Sequence, residues 1–130
     1  PLFIVDGAHN AGAADKMAES VRHYFNGKKL IYIMGVFADK EYKIVLEKTA
    51  HFAEKIYTIE TPDNPRALPA EELAKAARVY NSSAESTKSI KDAVEKAFSC
   101  AGDDENSVIL AFGSLSFIGA LTNAVEEYVG

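Results

Sequence analysis

Four short segments hold the groups with chemical reach, and each follows an apolar run. Asp6-Gly7-Ala8-His9-Asn10 follows Leu2 to Val5, and Gly35-Val36-Phe37-Ala38-Asp39-Lys40 follows Leu30 to Met34. Thr61-Pro62-Asp63-Asn64-Pro65-Arg66 follows Ile56 to Ile59, and Gly113-Ser114-Leu115-Ser116 follows Val108 to Phe112. An ionised Asp6 only accepts hydrogen bonds, which suits a ribose hydroxyl or a metal-bound water. Asp6 or Asn10 can equally cap a following helix, because Asp and Asn lead the capping residues. His9 can bond a phosphate or a carboxylate, or simply lie exposed. Lys40 offers three donors on a point charge to a carboxylate or phosphate. A loop lysine is otherwise solvated, and Arg66 poses the same choice. Gly113-Ser114 before a helix would leave backbone N–H groups facing an anion, with Ser114 as a possible cap. His23 and His51 read as surface residues.

Several kinds of chemistry are excluded. The chain has no Gly-x-x-x-x-Gly-Lys-Ser/Thr phosphate loop and no Gly-x-Gly-x-x-Gly fingerprint. No Cys/His cluster has zinc spacing, and no Gly-x-Ser-x-Gly elbow occurs. A nucleoside triphosphate reaction therefore needs more than these residues. The net charge of −5 provides no basic excess to neutralise nucleic-acid phosphates. One cysteine, Cys100, permits no internal disulfide. No apolar run approaches the ~20 residues of a membrane helix, and no signal-peptide pattern is present. A cytoplasmic protein is the expectation. Pro1 leads straight into an apolar run, which we read as the start of a fragment of a longer chain.

The positioning elements follow from apolar period. Leu2 to Val5 reads as a strand buried on both faces. Ala14, Met17, Ala18, Val21, Tyr24 and Phe25 line one face of a helix over 11–25, stopped by Asn26-Gly27. Leu30 to Met34 is a second buried strand, followed by a short helix over about 41–50. Ile56 to Ile59 is a third strand. Pro69 fits the first turn of a third helix, whose stripe is Ala70, Leu73, Ala74, Ala77 and Tyr80. Residues 81–86 can hold a short edge strand. Ser86 or Ser89 can cap a fourth helix bearing Ile90, Ala93, Val94, Ala97 and Phe98. Val108 to Phe112 is the last strand, and a final helix should bury Phe117, Ile118, Leu121, Val125, Tyr128 and Val129. Such alternation predicts a mostly parallel sheet of five or six strands, with about five helices on its two faces. Ligands of such sheets bind beyond the carboxyl ends of the strands, where all four polar segments lie.

In order and spacing these segments resemble one family. Asp6-Gly7-Ala8-His9-Asn10 is similar to the signature opening the C-terminal domain of folylpolyglutamate and dihydrofolate synthases, members of the Mur ligase superfamily. Met34-Gly35-Val36-Phe37-Ala38-Asp39-Lys40-Glu41, Asn64-Pro65-Arg66-Ala67-Leu68-Pro69 and Gly113-Ser114-Leu115-Ser116-Phe117-Ile118-Gly119 resemble its later loops. Ala11 stands where the family often has proline. Ser116-Phe117 replaces an aromatic followed by an aliphatic. Both departures bear on loop shape.

The resemblance implies a Rossmann-like three-layer α/β domain of an ATP-dependent ligase. In that chemistry ATP phosphorylates a carboxylate of a folate or dihydropteroate, and the amine of L-glutamate attacks the acyl phosphate. Asp6, with Asn10, would contact ATP. His9 would lie near the phosphates or the glutamate, and Lys40 and Ser114 would hold the glutamate carboxylate. His9 and Lys40 are thus the implied catalytic pair, with Asp39 and Arg66 in support. No metal ligand is implied in this chain. ATP and Mg2+ would be bound mainly by a preceding ATPase domain with its phosphate loop, so the isolated 130 residues are expected to be inactive. Two rivals are a Mur-type ligase for a cell-wall precursor and a receiver-like binding module. The Asp-Gly-Ala-His-Asn form favours the folate branch. A receiver would need an acidic pair after the first strand, and none is there.

Overall fold

The computed structural model describes residues 1–114 and 116–130 in full and residue 115 by its backbone alone. The strands are β1 (Leu2–Val5), β2 (Lys29–Gly35), β3 (Lys55–Thr58), β4 (Ala84–Ser86) and β5 (Ser107–Gly113). The helices are α1 (Ala11–Tyr24), α2 (Tyr42–Thr49), α3 (Ala70–Arg78), α4 (Ile90–Ala101) and α5 (Ile118–Val129). Short 3-10 turns follow α2 and precede α5. The five strands form one sheet in the order β1-β5-β2-β3-β4, and every pair is parallel.

The central strands β2 and β5 are apolar almost throughout because each is covered on both faces. Alternate side chains enter different cores. Leu30, Tyr32 and Met34 of β2 join Val108, Leu110 and Phe112 of β5 beneath α1, α2 and α3. Ile31, Ile33, Ile109 and Ala111 face α4 and α5 on the other side. The buried Tyr32 hydroxyl donates to the Thr49 carbonyl oxygen at 2.8 Å, and its ring meets Phe112 edge-on. Burial raises the pKa of this phenol, so it stays a donor.

The face each helix takes follows from the strand order and right-handed crossovers. Steps β1→β2, β2→β3 and β3→β4 all move one way across the sheet, with α1, α2 and α3 on one face. The step β4→β5 runs back past β3 and β2, so its helix α4 takes the opposite face.

The structure corrects several expectations. β1 is an edge strand rather than one buried on both faces; Leu2 is 55% exposed and Val5 39%. Tyr24, Tyr80, Tyr128 and Val129 lie at helix ends, beyond the reach of the sheet, and are exposed. Tyr128 instead stacks on Phe98, which stacks on Phe3 of β1. Pro69 occupies the cap position of α3, one residue before the first turn. Ser89, not Ser86, caps α4 by accepting from the Asp92 amide; Ser86 belongs to β4 and donates to Glu71. No described helix is long and apolar enough to cross a membrane.

Candidate functional site

The helices following β5 and β2 leave on opposite faces, so a crevice opens between these two strand ends. Two glycines form its floor. Gly35 and Gly113 are register partners closing β2 and β5. Gly113 has φ +113°, and a Cβ there would run into the Gly35 carbonyl oxygen. Only glycine tolerates both conditions. The Ser114 amide then donates to that same carbonyl at 2.7 Å.

A cavity of about 320 Å³ lies above this floor, within the range of small-ligand sites. It is lined by His9 behind β1, by Val36, Phe37 and Lys40 behind β2, by Arg66 behind β3, and by Gly113, Ser114 and Ser116 behind β5. The sheet thus brings together His9, Lys40, Arg66 and Ser114 from four separate loops. Ser116 and Phe37 are lining residues that sequence reasoning missed. A second serine two places after Ser114 was a visible signal for the first. Nothing local marks Phe37.

Each polar group has a distinct state. His9 Nδ1 lies 2.7 Å from the Gly7 carbonyl oxygen. A carbonyl only accepts, so Nδ1 bears the hydrogen and Nε2 of the neutral ring is an acceptor. The Ser114 side chain is almost fully buried, and its Oγ meets Ser116 Oγ at 2.7 Å. Ser114 Oγ also accepts from the Ser116 amide at 3.3 Å, so Ser114 braces the turn and is not the cap of α5, which is Phe117. The expected anion-facing amide of Ser114 is spent on Gly35; hydroxyls replace it as the polar groups of this wall. Lys40 is exposed and forms no ion pair among the described residues.

Arg66 is the paired cation. Its Nη2 donates to Asp39 Oδ1 and Oδ2 at 3.1 and 2.9 Å, and its guanidinium lies 4.6 Å from the Phe37 ring centre. The hydrogen bond and charge of Arg66 hold the Asp39 carboxyl below its ordinary pKa. Two backbone bonds, Ala38 N–H to Arg66 O and Leu68 N–H to Val36 O, zip the loops behind β2 and β3 together.

Asp6, Asn10 and Asp39 do not line the cavity. Asp6 is at the same edge of the sheet, with its amide bonded to Ala111 O and its Oδ1 accepting from the Ala8 amide at 2.9 Å. Asn10 is the cap of α1, accepting from the Ala13 amide at 2.9 Å, which decides between the two capping candidates. Among the described residues no cluster of three His, Cys, Asp or Glu side chains could hold a metal ion.

A family model described as "Mur ligase, glutamate ligase domain" matches residues 1–115. The chain is 29% identical over 126 residues to a dihydrofolate synthase/folylpolyglutamate synthase of Bacillus subtilis, covering 97% of this chain and 28% of that protein. It is 30% identical over 69 residues to a folylpolyglutamate synthase of Lacticaseibacillus casei, covering 53% of this chain and 16% of that protein. Among solved structures, a Mycobacterium tuberculosis folylpolyglutamate synthase complexed with ADP superposes with a TM-score of 0.83 at 25% identity, covering 95% of this chain and 29% of that one. The chain therefore spans less than a third of the length of these relatives.

Proposed function

This chain belongs to the Mur ligase glutamate ligase domain family, and we propose that it works as the C-terminal domain of an ATP-dependent ligase joining L-glutamate to a folate or dihydropteroate. The observation behind this reading is the cavity between β2 and β5, where two serine hydroxyls, His9 and a Lys40 with no ion pair among the described residues line one space. Its polar groups suit a small carboxylate: a cation for the charge and hydroxyls that can turn a hydrogen toward it.

In this reading Lys40 and Ser114 hold the glutamate carboxylate, and Ser116 assists. Held this way, the amine can point out of the cavity toward an acyl carbon presented by a preceding ATPase domain. His9, with its acceptor nitrogen, is suited to take a hydrogen bond from that amine. The apolar walls of Val36 and Phe37 help exclude water, which matters because water competes for an activated acyl group. Asp6 remains available to a nucleotide ribose through the oxygen that Ala8 does not occupy. Asn10 keeps its amide hydrogens for the same side, and Asp39 and Arg66 shape the cavity. ATP supplies the activation, and its Mg2+ is held chiefly outside this chain. The ADP complex of the Mycobacterium tuberculosis relative supports a nucleotide partner.

The test is Lys40→Ala in the full-length enzyme. Loss of a charge-assisted hydrogen bond should raise the KM for glutamate about tenfold or more, with the KM for ATP little changed. An unaltered glutamate KM and rate would remove Lys40, and this cavity, from glutamate binding.

A further inference from the structure

Arg66 lines the cavity as its second cation, yet its guanidinium is engaged from two directions. The Asp39 carboxylate accepts from Nη2 with both oxygens, and the Phe37 ring supports the guanidinium from below. Phe37 also faces Ala67 across an isolated antiparallel bridge, flanked by the two backbone bonds that join the loops. Phe37, Asp39 and Arg66 are therefore one unit spanning two loops. Phe37 and Arg66 border the cavity, while Asp39 is not part of its lining. The charge count follows. Arg66 is ion-paired with Asp39, whereas Lys40 forms no ion pair among the described residues and only its longer-range charge reaches Asp39.

We propose that Asp39 is the positioning residue of this cavity: it pins Arg66 on Phe37 as a wall and offsets its charge, leaving Lys40 as the lysine or arginine of the lining that has no ion pair among the described residues. The proposal rests on the glutamate reading above and adds a basis for selectivity. A cavity with one positive charge outside an ion pair suits a carboxylate. A freed Arg66 would add a second charge and admit a doubly charged anion. Because Arg66 and Asp39 are each about half exposed, their pairing acts on geometry and charge more than on stability.

The experiment uses full-length Asp39→Ala, Arg66→Ala, the double variant, Asp39→Glu and Lys40→Ala. Asp39→Ala should raise the glutamate KM about threefold to fivefold with kcat within about twofold and Tm unchanged. The double variant should be no worse than Arg66→Ala alone, because Asp39 acts through Arg66. Asp39→Glu should recover most of the loss. Inorganic sulfate should compete with glutamate about threefold better in Asp39→Ala, and this gain should vanish in the double variant. Additive effects of the two single changes, an unmoved glutamate KM, or unchanged sulfate competition each overturn the role of Asp39. So does a loss confined to kcat and Tm. Lys40→Ala keeps the two readings apart. If its glutamate KM is normal, the glutamate site itself fails. If its KM rises while that of Asp39→Ala does not, only the positioning role fails.

Discussion

Lys29 opens β2 at the amino edge of the sheet, and Lys40 stands beyond its carboxyl end. Lys29 Nζ donates to the Cys100 carbonyl oxygen at 2.7 Å and lies 3.4 Å from Glu54. Its neighbours are similarly occupied. Lys55 meets Glu85, and the Asn81 amide serves the carbonyls of Ala50 and Ala53. Ser83 donates to Glu54 O and Asn106 to Gly27 O. At the other edge Lys40 forms no ion pair among the described residues, and the two serine hydroxyls bond each other and the Ser116 amide, within one turn. Polar side chains that tie one loop to the next stabilise the domain. Those left with spare donors around a cavity are available to a ligand. The residue types are the same on both edges, so the contrast lies in what surrounds them.

The strongest way to break this contrast is to remove the floor of the carboxyl edge. Gly113→Ala places a Cβ against the Gly35 carbonyl oxygen at φ +113°. Strain and overlap together should cost about 3 kcal/mol or more. Urea unfolding of the domain measures this, and a wild-type midpoint would show that the two strand ends do not close so tightly.

The next test exchanges the two lysines. Lys40→Ala should weaken glutamate use about tenfold and leave the unfolding midpoint alone. Lys29→Ala should do the reverse. It should lose about 0.5–1 kcal/mol, discounted for the exposed Glu54 partner, with the glutamate KM intact. Equal effects on KM from both would erase the distinction between the edges.

Asn10 sharpens the comparison because it sits at the carboxyl edge yet is used structurally. Asn10→Ala should cost about 1 kcal/mol through loss of the α1 cap, whereas Asn10→Ser should retain most of it. If Asn10→Ser is as stable as wild type but binds nucleotide poorly, the free amide of Asn10 contacts ligand.

The smallest effect is a pH dependence. Lys55 and then Lys96 bond Glu85 and hold its carboxyl below the ordinary value of 4.5. A folded pKa below the unfolded one means that the unfolded chain binds the proton more tightly. The stabilisation is therefore complete above 4.5 and is lost as pH falls through the folded value. Glu85→Gln should flatten part of this acid loss, visible as a smaller shift in unfolding midpoint between about pH 6 and about pH 3.5. An unchanged shift would assign the acid sensitivity to other carboxyls, such as Asp39.

Much of the fold was legible because local period reports local structure. The stripe of Ala14, Met17, Ala18 and Val21 and the cap at Ser89 needed no distant information. The edge position of β1 was hidden, since Leu2 to Val5 and Val108 to Phe112 are similar apolar runs. What separates them is their neighbours: β1 pairs only with β5, and β5 lies between β1 and β2. Within the site, the four loops and their charged residues were legible. The support of Arg66 by Phe37, and the diversion of the Ser114 amide to Gly35, were not, because each joins loops far apart in the chain.

The sequence alone determined that this is a parallel α/β domain with its polar loops on one edge. Parallel strands all end on the same side, so alternation of strand and helix suffices. Tertiary structure decided which loops share a cavity. By placing β5 between β1 and β2, it brought His9, Lys40 and Ser114 to one space and left Asp6 outside; by pairing β2 with β3, it matched Arg66 with Asp39. Strand order depends on packing and crossover handedness over the whole chain, and no local run of residues encodes it.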